Sequence, residues 1–457
     1  MQSTKPPSGT RDFLPDEIRR REYVMGVVRR VYERYGFEPL ETPAFENIET
    51  LLGKYGEEGN KLIFKILRRG EHEASGDADL ALRYDLTVPL ARVVAQYQNE
   101  LPRFFKRYQI QPVWRADRPA KGRFREFYQC DIDSIGTTSP IVEVEQMAAV
   151  GEILLELGFS DFKILVNDRR ILTGLLDAVP IEPAQHEAAL VALDKLDKIG
   201  DQGVEAEFVA RGLGHDKAVR VLGILRDIFG AASTGPALDG VTVSRSRLEA
   251  LRKVLPPASM GALEQLEEIL GLVGTTPVAG HVYVDPRLAR GLSYYTGAIM
   301  EITVPDLSGS LGGGGRYDHL IGTFLGRDVP ACGFSLGLER IIVVMTERKM
   351  FPPSLVTSAV DVVVVFMDDE SKMEALKLAA ELRALRLRAE VYPEASRKFD
   401  KTLKHASSRG ARMMAIFGEN ERAERQTSVR DLQTREQQAV PRDEAAEFIA
   451  RRLNPEP

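Results

Sequence analysis

A chain of 457 residues, 44% hydrophobic and 28% charged, is an ordinary globular composition and is expected to form roughly two to four domains. Its net charge of −6 argues against a protein whose main task is to coat nucleic acid, so any RNA contact must come from local patches. Only Cys130 and Cys332 occur, far apart and without metal-ligand spacing, which fits a reducing, cytoplasmic setting and sets aside a structural metal.

The opening MQSTKPPSGTRDFLPDE has no apolar core, so a signal peptide is not expected, and no run approaches the ~18 apolar residues of a membrane span. A helix begins near Asp16, behind Pro15; Val24, Val27, Val28, Val31 and Tyr35 repeat at helical spacing, and Gly36 stops them. GFEPLETPAFE, residues 36–46, reads as a turn, a short strand and a proline-bounded bend. In LRYDLTVPLAR, residues 82–92, Arg83, Asp85 and Thr87 share one face of an extended segment that Pro89 ends; a solvated edge strand is the alternative.

Residues 104–136 read as two antiparallel strands around a charged loop, Ala116–Phe124. If 125–133 is a strand, Phe127, Gln129, Asp131 and Asp133 share a face. An aromatic ring, an amide and two carboxylates make a poor apolar core but a suitable floor for a ligand carrying an amine and a flat ring. Arg115 ends the partner strand, placed to grip phosphate with a forked donor. A sheet with one solvated face remains the other reading.

Helix-like and loop stretches fill about 140–280, with a polar stretch near 230–245, and strand signals return at His281–Asp285 and Ala298–Val304. Between them, ARGLSYYTGAIME places Arg290 beside two tyrosines, which are as well suited to a core or an interface as to a ligand. The glycines of Gly309–Arg316 must be a turn or a close-approach site; they form neither a P-loop nor a dinucleotide fingerprint. Ala331–Arg340 leads into a helix from which Arg340 can reach phosphate or stack on a base.

After Met350–Ala359, which reads as a linker, the pattern becomes alternating. Strand 361–367, helix 370–385, strand 388–392, helix 399–408, strand 412–417, strand 427–432 and helix 443–453 predict a small α/β domain with a mainly parallel sheet. Arg397, Lys398, Lys401, Lys404, Arg409 and Arg412 are offset only by Asp400, a basic run that suits either RNA or a solvated helix face.

In order, these pieces resemble the histidyl-tRNA synthetases over nearly the whole chain. PSGTRDFLPDE is similar to that family's N-terminal signature, GFEPLETPAFE to class II motif 1, and FKRYQIQPVWRADRPAKGRFREFYQCDID to motif 2. ARGLSYYTG resembles a signature peculiar to histidine enzymes, GFSLGLER resembles motif 3, and ALDKLDK (192–198) resembles part of the family's insertion. The last ~100 residues are similar to the anticodon-binding domain of several class II synthetases.

The resemblance implies an α+β catalytic domain over 1–350, an antiparallel sheet flanked by helices with a helical insertion at about 174–278. A linker at 351–360 and an α/β anticodon-binding domain over 361–457 would follow. It also implies a homodimer that takes L-histidine, ATP with Mg²⁺ bound through its phosphates, and tRNA(His), with no membrane.

By position, Arg115, Asp117, Arg123, Phe127 and Arg340 would bind ATP: Arg115 at the α-phosphate, Phe127 stacked on adenine, Asp117 at its amine. Asp85, Thr87 and Gln129 would hold the α-amino group, and Asp133 and Tyr295, with Tyr294 beside them, would read the imidazole. Arg290 would contact the carboxylate and the α-phosphate, making Arg290 and Arg115 the catalytic pair. Arg397, Lys398, Lys401 and Lys404 would meet tRNA. Ser293 departs from the family's Asp in Arg-Gly-Leu-Asp-Tyr-Tyr, which would weaken histidine affinity or turnover if that Asp orients Arg290. The alternative function is the synthetase-like, non-catalytic regulatory subunit of ATP phosphoribosyltransferase, which lacks the last domain and the adenylation residues.

Overall fold

The long hairpin read around the charged loop is the centre of the first unit. This computed structural model describes residues 3–55, 59–68, 76–230, 240–290, 294–355 and 359–454. The chain divides into two compact units, Met1–Phe13 with Arg21–Met350, and Leu14–Arg20 with Phe351–Pro457.

In the first unit, β1 (Glu38–Pro39), β5 (Phe105–Trp114), β6 (Glu126–Ile135), β7 (Lys163–Asp168), β8 (Val282–Val284), β9 (Ala298–Thr303), β10 (Gly312–Arg316) and β11 (Ala331–Gly337) build one sheet, ordered β1-β5-β6-β11-β10-β9-β7-β8. The edge pairs β1/β5 and β7/β8 are parallel; the others are antiparallel. A small sheet of β2 (Phe45–Asn47), β4 (Ala78–Leu82) and β3 (Lys65–Leu67) accompanies it.

One face of the large sheet is apolar, with Cys130, Ile132, Phe334, Leu336, Met300 and Ile302 buried. The valines of helix Pro15–Arg34 are buried as their spacing demands, and Tyr32 of that helix donates its hydroxyl to Cys130 O at 2.9 Å. Helix Ile141–Glu156 is buried along most of its length, and its Gln146 donates to Cys332 O at 2.6 Å.

Of the two expectations for Gly309–Arg316, the close approach holds and the turn does not: Gly312–Arg316 is a strand between β9 and β11. Other expectations are corrected. The stretch expected to hold only helices and loops contains β7, whose parallel pairing with β8 requires a crossover; among the described residues, six α-helices between Arg169 and Val273 supply it. Thr87 does not continue an extended segment: it opens helix Thr87–Gln96, and Pro89 sits in the first turn, where its missing N–H costs no bond.

In the second unit, β12 (Val362–Phe366), β13 (Ala389–Val391), β14 (Met413–Phe417), β15 (Gln426–Asp431) and β16 (Gln437–Pro441) form a sheet ordered β13-β12-β14-β15-β16. Only β13, β12 and β14 run parallel, so the sheet is mixed rather than mainly parallel. Alternation along β12 sends Val362, Val364 and Phe366 to one core with Leu378, Leu382 and Ile449, and Val363 and Val365 to another with Ala406 and Met414. Among the described residues, no helix is long and apolar enough to cross a membrane.

Candidate active site

The second face of the large sheet is polar, and its register explains why. Across β5, β6, β11 and β10, Arg107 stands opposite Asp133, Asp133 opposite Gly333, and Gly333 opposite Gly315. One step along, Gln109, Asp131, Ser335 and Gly313 align in the same way, followed by Gln111, Gln129 and Gly337. Side chains at these positions share one face.

The glycines make room for that face. A Cβ at Gly333 would lie 1.9 Å from Asp133 Oδ1, one at Gly313 would lie 1.9 Å from Arg290 Nη1, and one at Gly315 would lie 2.9 Å from the Tyr295 ring. These bare positions on β10 and β11 therefore let an arginine, a tyrosine and a carboxylate lie flat against the sheet.

At one end the pocket is acidic and buried. Asp133 and Arg107 face each other at 2.7 Å, 2% and 0% exposed, and the Tyr317 hydroxyl donates to the other Asp133 oxygen. Burial lifts the Asp133 carboxyl to about 6 against the pull of Arg107. Asp131 is lifted to about 7, chiefly by burial, with Arg107 opposing and Asp133 adding to it.

Asp85 accepts from the Tyr55 hydroxyl at 3.0 Å and from Val88 N at 3.1 Å, and burial raises it too. Tyr294 is hydrogen-bonded to Thr87 and packs edge-on to Tyr295, ring centroids 4.9 Å apart. Gln129 donates to Ser335 Oγ at 2.8 Å. Four buried acceptors of this face have no hydrogen-bond donor: Asp85 Oδ2, Gln129 Oε1, Asp131 Oδ1 and Asp133 Oδ2, the last of which faces Arg107 as an ion pair. A ligand carrying an ammonium group matches that deficit.

The other end is cationic. Arg115 lies over the Tyr84 ring at 4.3 Å, within 5.2 Å of the Phe127 ring, and donates to Tyr84 O at 3.0 Å. Arg340 is held by the carbonyls of Ser310 and Gly122, and Arg123 pairs with Asp117 at 2.7 Å. Burial first, and then the neighbouring Arg115 and Arg123, push the Arg340 guanidinium below its ordinary value, the signature of crowded positive charge. Arg290 bridges toward this end and pairs with Glu301 at 2.9 Å.

The N-terminal segment secures the loop between β5 and β6. Arg125 N donates to Gly9 O at 2.8 Å, while the Arg125 side chain reaches Ser8 O and Asp117 O at 3.3 and 3.0 Å. Gly9 has φ +86°, and a Cβ there would lie 2.6 Å from Arg125 Cγ.

A buried acid pocket joined by Arg290 to an arginine-lined trough suits an amino acid beside a nucleotide. The family model "Histidyl-tRNA synthetase" matches residues 9–341. The chain belongs to the histidyl-tRNA synthetase family. A second model, "Anticodon binding domain", matches residues 361–452. The histidine–tRNA ligase of Gloeobacter violaceus is 41% identical over 97% of this chain and 98% of its own length. That of Porphyromonas gingivalis is 40% identical over 98% and 99%. The crystal structure of histidyl-tRNA synthetase from Nostoc sp. PCC 7120 is 32% identical, with a TM-score of 0.78 over 99% of this chain and all of that one.

For this synthetase, the polar face gathers Gln129, Asp133, Arg290 and Tyr295, with Asp85, Thr87 and Tyr294 at its margin. Sequence reasoning passed over Arg107, Tyr317, Tyr55 and Glu301. Arg107 had a signal: Arg107, Gln109 and Gln111 alternate along β5 as the residues of β6 do. Tyr317 and Glu301 had none, because register across strands brings them in. Ser293 lies outside the described residues. In the second unit, Arg397, Lys398, Lys401 and Lys404 are all exposed, with Lys401 paired to Glu394 at 2.9 Å.

Proposed function

We infer that the chain is a histidine–tRNA ligase. The observation that carries the reading is the buried Asp133, which holds Arg107 and the Tyr317 phenol at the end of a trough lined by Arg115, Arg290 and Arg340. The histidine carboxylate attacks the α-phosphorus of ATP, an oxygen–phosphorus bond forms, and pyrophosphate leaves. A terminal ribose hydroxyl of tRNA(His) then attacks the acyl carbon, and AMP leaves.

No protein nucleophile is required; alignment and charge stabilisation do the chemistry. Arg115 takes the α-phosphate and Arg290 the phosphate and the histidine carboxylate together. Arg340 lies on the far side of the nucleotide, Arg123 and Asp117 frame its loop, and Phe127 stacks on adenine. Mg²⁺ enters as part of the ATP substrate. Asp85, Thr87 and Gln129 hold the α-ammonium, while Asp133 and Tyr295 pair with the imidazole nitrogens inside the wall that Tyr294 completes. A site built to satisfy imidazole donors leaves its own groups unpaired with a wrong side chain, which is how large discrimination arises.

On this reading the catalytic domain spans 1–350 with its insertion at about 174–278, the linker 351–360 and the anticodon-binding domain 361–457. The enzyme works as a cytoplasmic homodimer, and Arg397, Lys398, Lys401 and Lys404 meet tRNA. The regulatory-subunit alternative is less supported, since Arg115, Arg290 and Arg340 are present and a family model for anticodon binding matches the last unit.

Histidine-dependent ATP–pyrophosphate exchange, run against every other standard amino acid, tests the reading. Exchange with histidine alone is expected; its absence with folded protein and Mg²⁺ would overturn it. Arg290→Ala should depress adenylation far more than ATP binding.

A further inference from the structure

We propose that Asp131 is a direct ligand of the substrate's α-ammonium group, completing with Asp85 and Gln129 a set of three buried acceptors. The inference rests on the reading of this pocket as the amino-acid site and adds to it a residue with no role so far.

Asp131 is 2% exposed, yet its Oδ1 has no donor. Its neighbours do not supply one. Gln109, opposite it on β5, directs its amide N–H groups to Thr42 Oγ1 at 2.9 Å and Gln111 Oε1 at 2.7 Å. Both donors of that amide are thus spent. Arg107 is directed to Asp133, Leu86 O and Gln109 Oε1. The remaining contact, Ser335, is shared with Gln129, which puts the Asp131 carboxyl and the Gln129 amide side by side.

A carboxylate kept only for structure would be paired, because an unsatisfied buried acceptor is costly. With Asp133 Oδ2 set against Arg107, the acceptors left for the N–H groups of an ammonium ion are Asp85 Oδ2, Gln129 Oε1 and Asp131 Oδ1. Asp85, Asp131 and Asp133 crowd one pocket; Arg107 makes its ion pair with Asp133, and the buried Arg83 is turned to Pro112 O, Thr42 O and Gln111 Oε1, so neither arginine is paired with Asp131. Asp133 already has a phenol and a guanidinium at the imidazole end, which leaves Asp131 for the amine. The upward shift of Asp131 to about 7 has the sense expected of a carboxylate whose cation comes with the ligand.

The test compares the wild-type chain with Asp131→Asn in histidine-dependent exchange, using two competitors. Histamine keeps the imidazole and the amine; imidazolepropionate keeps the imidazole and the carboxylate but has no amine. Asp131→Asn should raise the histidine KM and the histamine inhibition constant roughly 10- to 100-fold, the usual loss of a charged hydrogen bond. The ATP KM and the imidazolepropionate constant should stay within about threefold. Equal weakening of both competitors, or of neither, would overturn the assignment. Should Asp131→Asn fail to fold, Asp131→Ser carries the same readouts. Failure of the wild-type chain to exchange with histidine would instead remove the pocket reading itself, and this inference with it.

Discussion

Gly313→Ala tests whether Arg290 depends on the bare strand beneath it. The added methyl would sit 1.9 Å from Arg290 Nη1, 2.6 Å from its Cζ and 2.8 Å from Met300 O. Ordinary contact begins at 3.4 Å, so Nη1 must rise by about 1.5 Å. The Glu301 partner at 2.9 Å then loses its geometry. A misplacement of ~1 Å commonly costs ~100-fold in rate, so adenylate formation should slow by about that factor. Overpacking against the Met300 carbonyl adds about 1–3 kcal/mol of destabilisation. The assay is pyrophosphate exchange at saturating ATP and histidine, beside a melting curve. Because neither Arg115 nor Arg340 meets the new methyl, the ATP KM should hold within about threefold. Gly261→Ala is the control: it lies in helix Met260–Val273 with nothing within 4 Å, so turnover should be unchanged and stability equal or ~0.4–1 kcal/mol higher. A folded Gly313→Ala enzyme with wild-type turnover would refute the role given to Arg290.

Tyr317→Phe removes the phenol donor of Asp133 and should raise the histidine KM by roughly 10- to 100-fold with little change in the ATP KM; equal changes in both would contradict the placement of Asp133 at the imidazole. Gly9→Ala forces a side chain into left-handed backbone and against Arg125, so it should raise the ATP KM several-fold and leave the histidine KM alone; steady-state kinetics with each substrate varied decides it. Asp131 is held above its ordinary 3.8, at about 7, so the folded chain keeps a proton that the unfolded chain has lost between those values. That contribution to stability is complete below about pH 4 and is lost as pH rises through 7. The melting temperature of the ligand-free wild type should therefore fall relative to Asp131→Asn between pH 5 and 8, whereas parallel curves would show that Asp131 does not titrate there.

How far the sequence could be read depended on whether a signal was local. Helix Pro15–Arg34 and strands β5 and β6 carry periodicity within one segment, and they were legible. So was the polar face of β6, because Phe127, Gln129, Asp131 and Asp133 repeat at the spacing of two that a strand imposes. Strand β10 was not legible: four glycines in a row have no side-chain pattern, and their extended form is set by β9 and β11 on either side. Strand β16 was hidden for another reason. QQAVP is an exposed edge with a single buried side chain, Val440, and glutamine gives no strand signal. Thr87 was misread because its helix starts without a side-chain cap, and Pro89 signals a stop as readily as a first turn. Within the site, Arg107 could have been found by extending the alternation to β5. Glu301 and Tyr317 could not, since only sheet register brings them to Arg290 and Asp133.

That dependence on register says something about the chemistry. A reaction that relies on alignment rather than on a nucleophile needs its ligand contacts on a stiff element. Six residues separate Phe127 from Asp133, about 20 Å at ~3.3 Å per residue, the scale of an amino acid joined to a nucleotide. On the proposed reading, one strand then carries the ligand from its base to its side chain, passing an aromatic, an amide and two acids at fixed intervals. The opposite wall cannot be built in the same way, because bulky groups on β10 and β11 would occupy the ligand's space. Glycine there is the complement of the loaded strand: β6 presents the contacts, and β10 and β11 give up theirs so that Arg290, Tyr295 and Asp133 can lie against the sheet. A slip of one residue between β5 and β6 would turn every contact to the apolar face, so the buried Arg107–Asp133 pair, which holds only in the present register, guards the alignment as well as the charge.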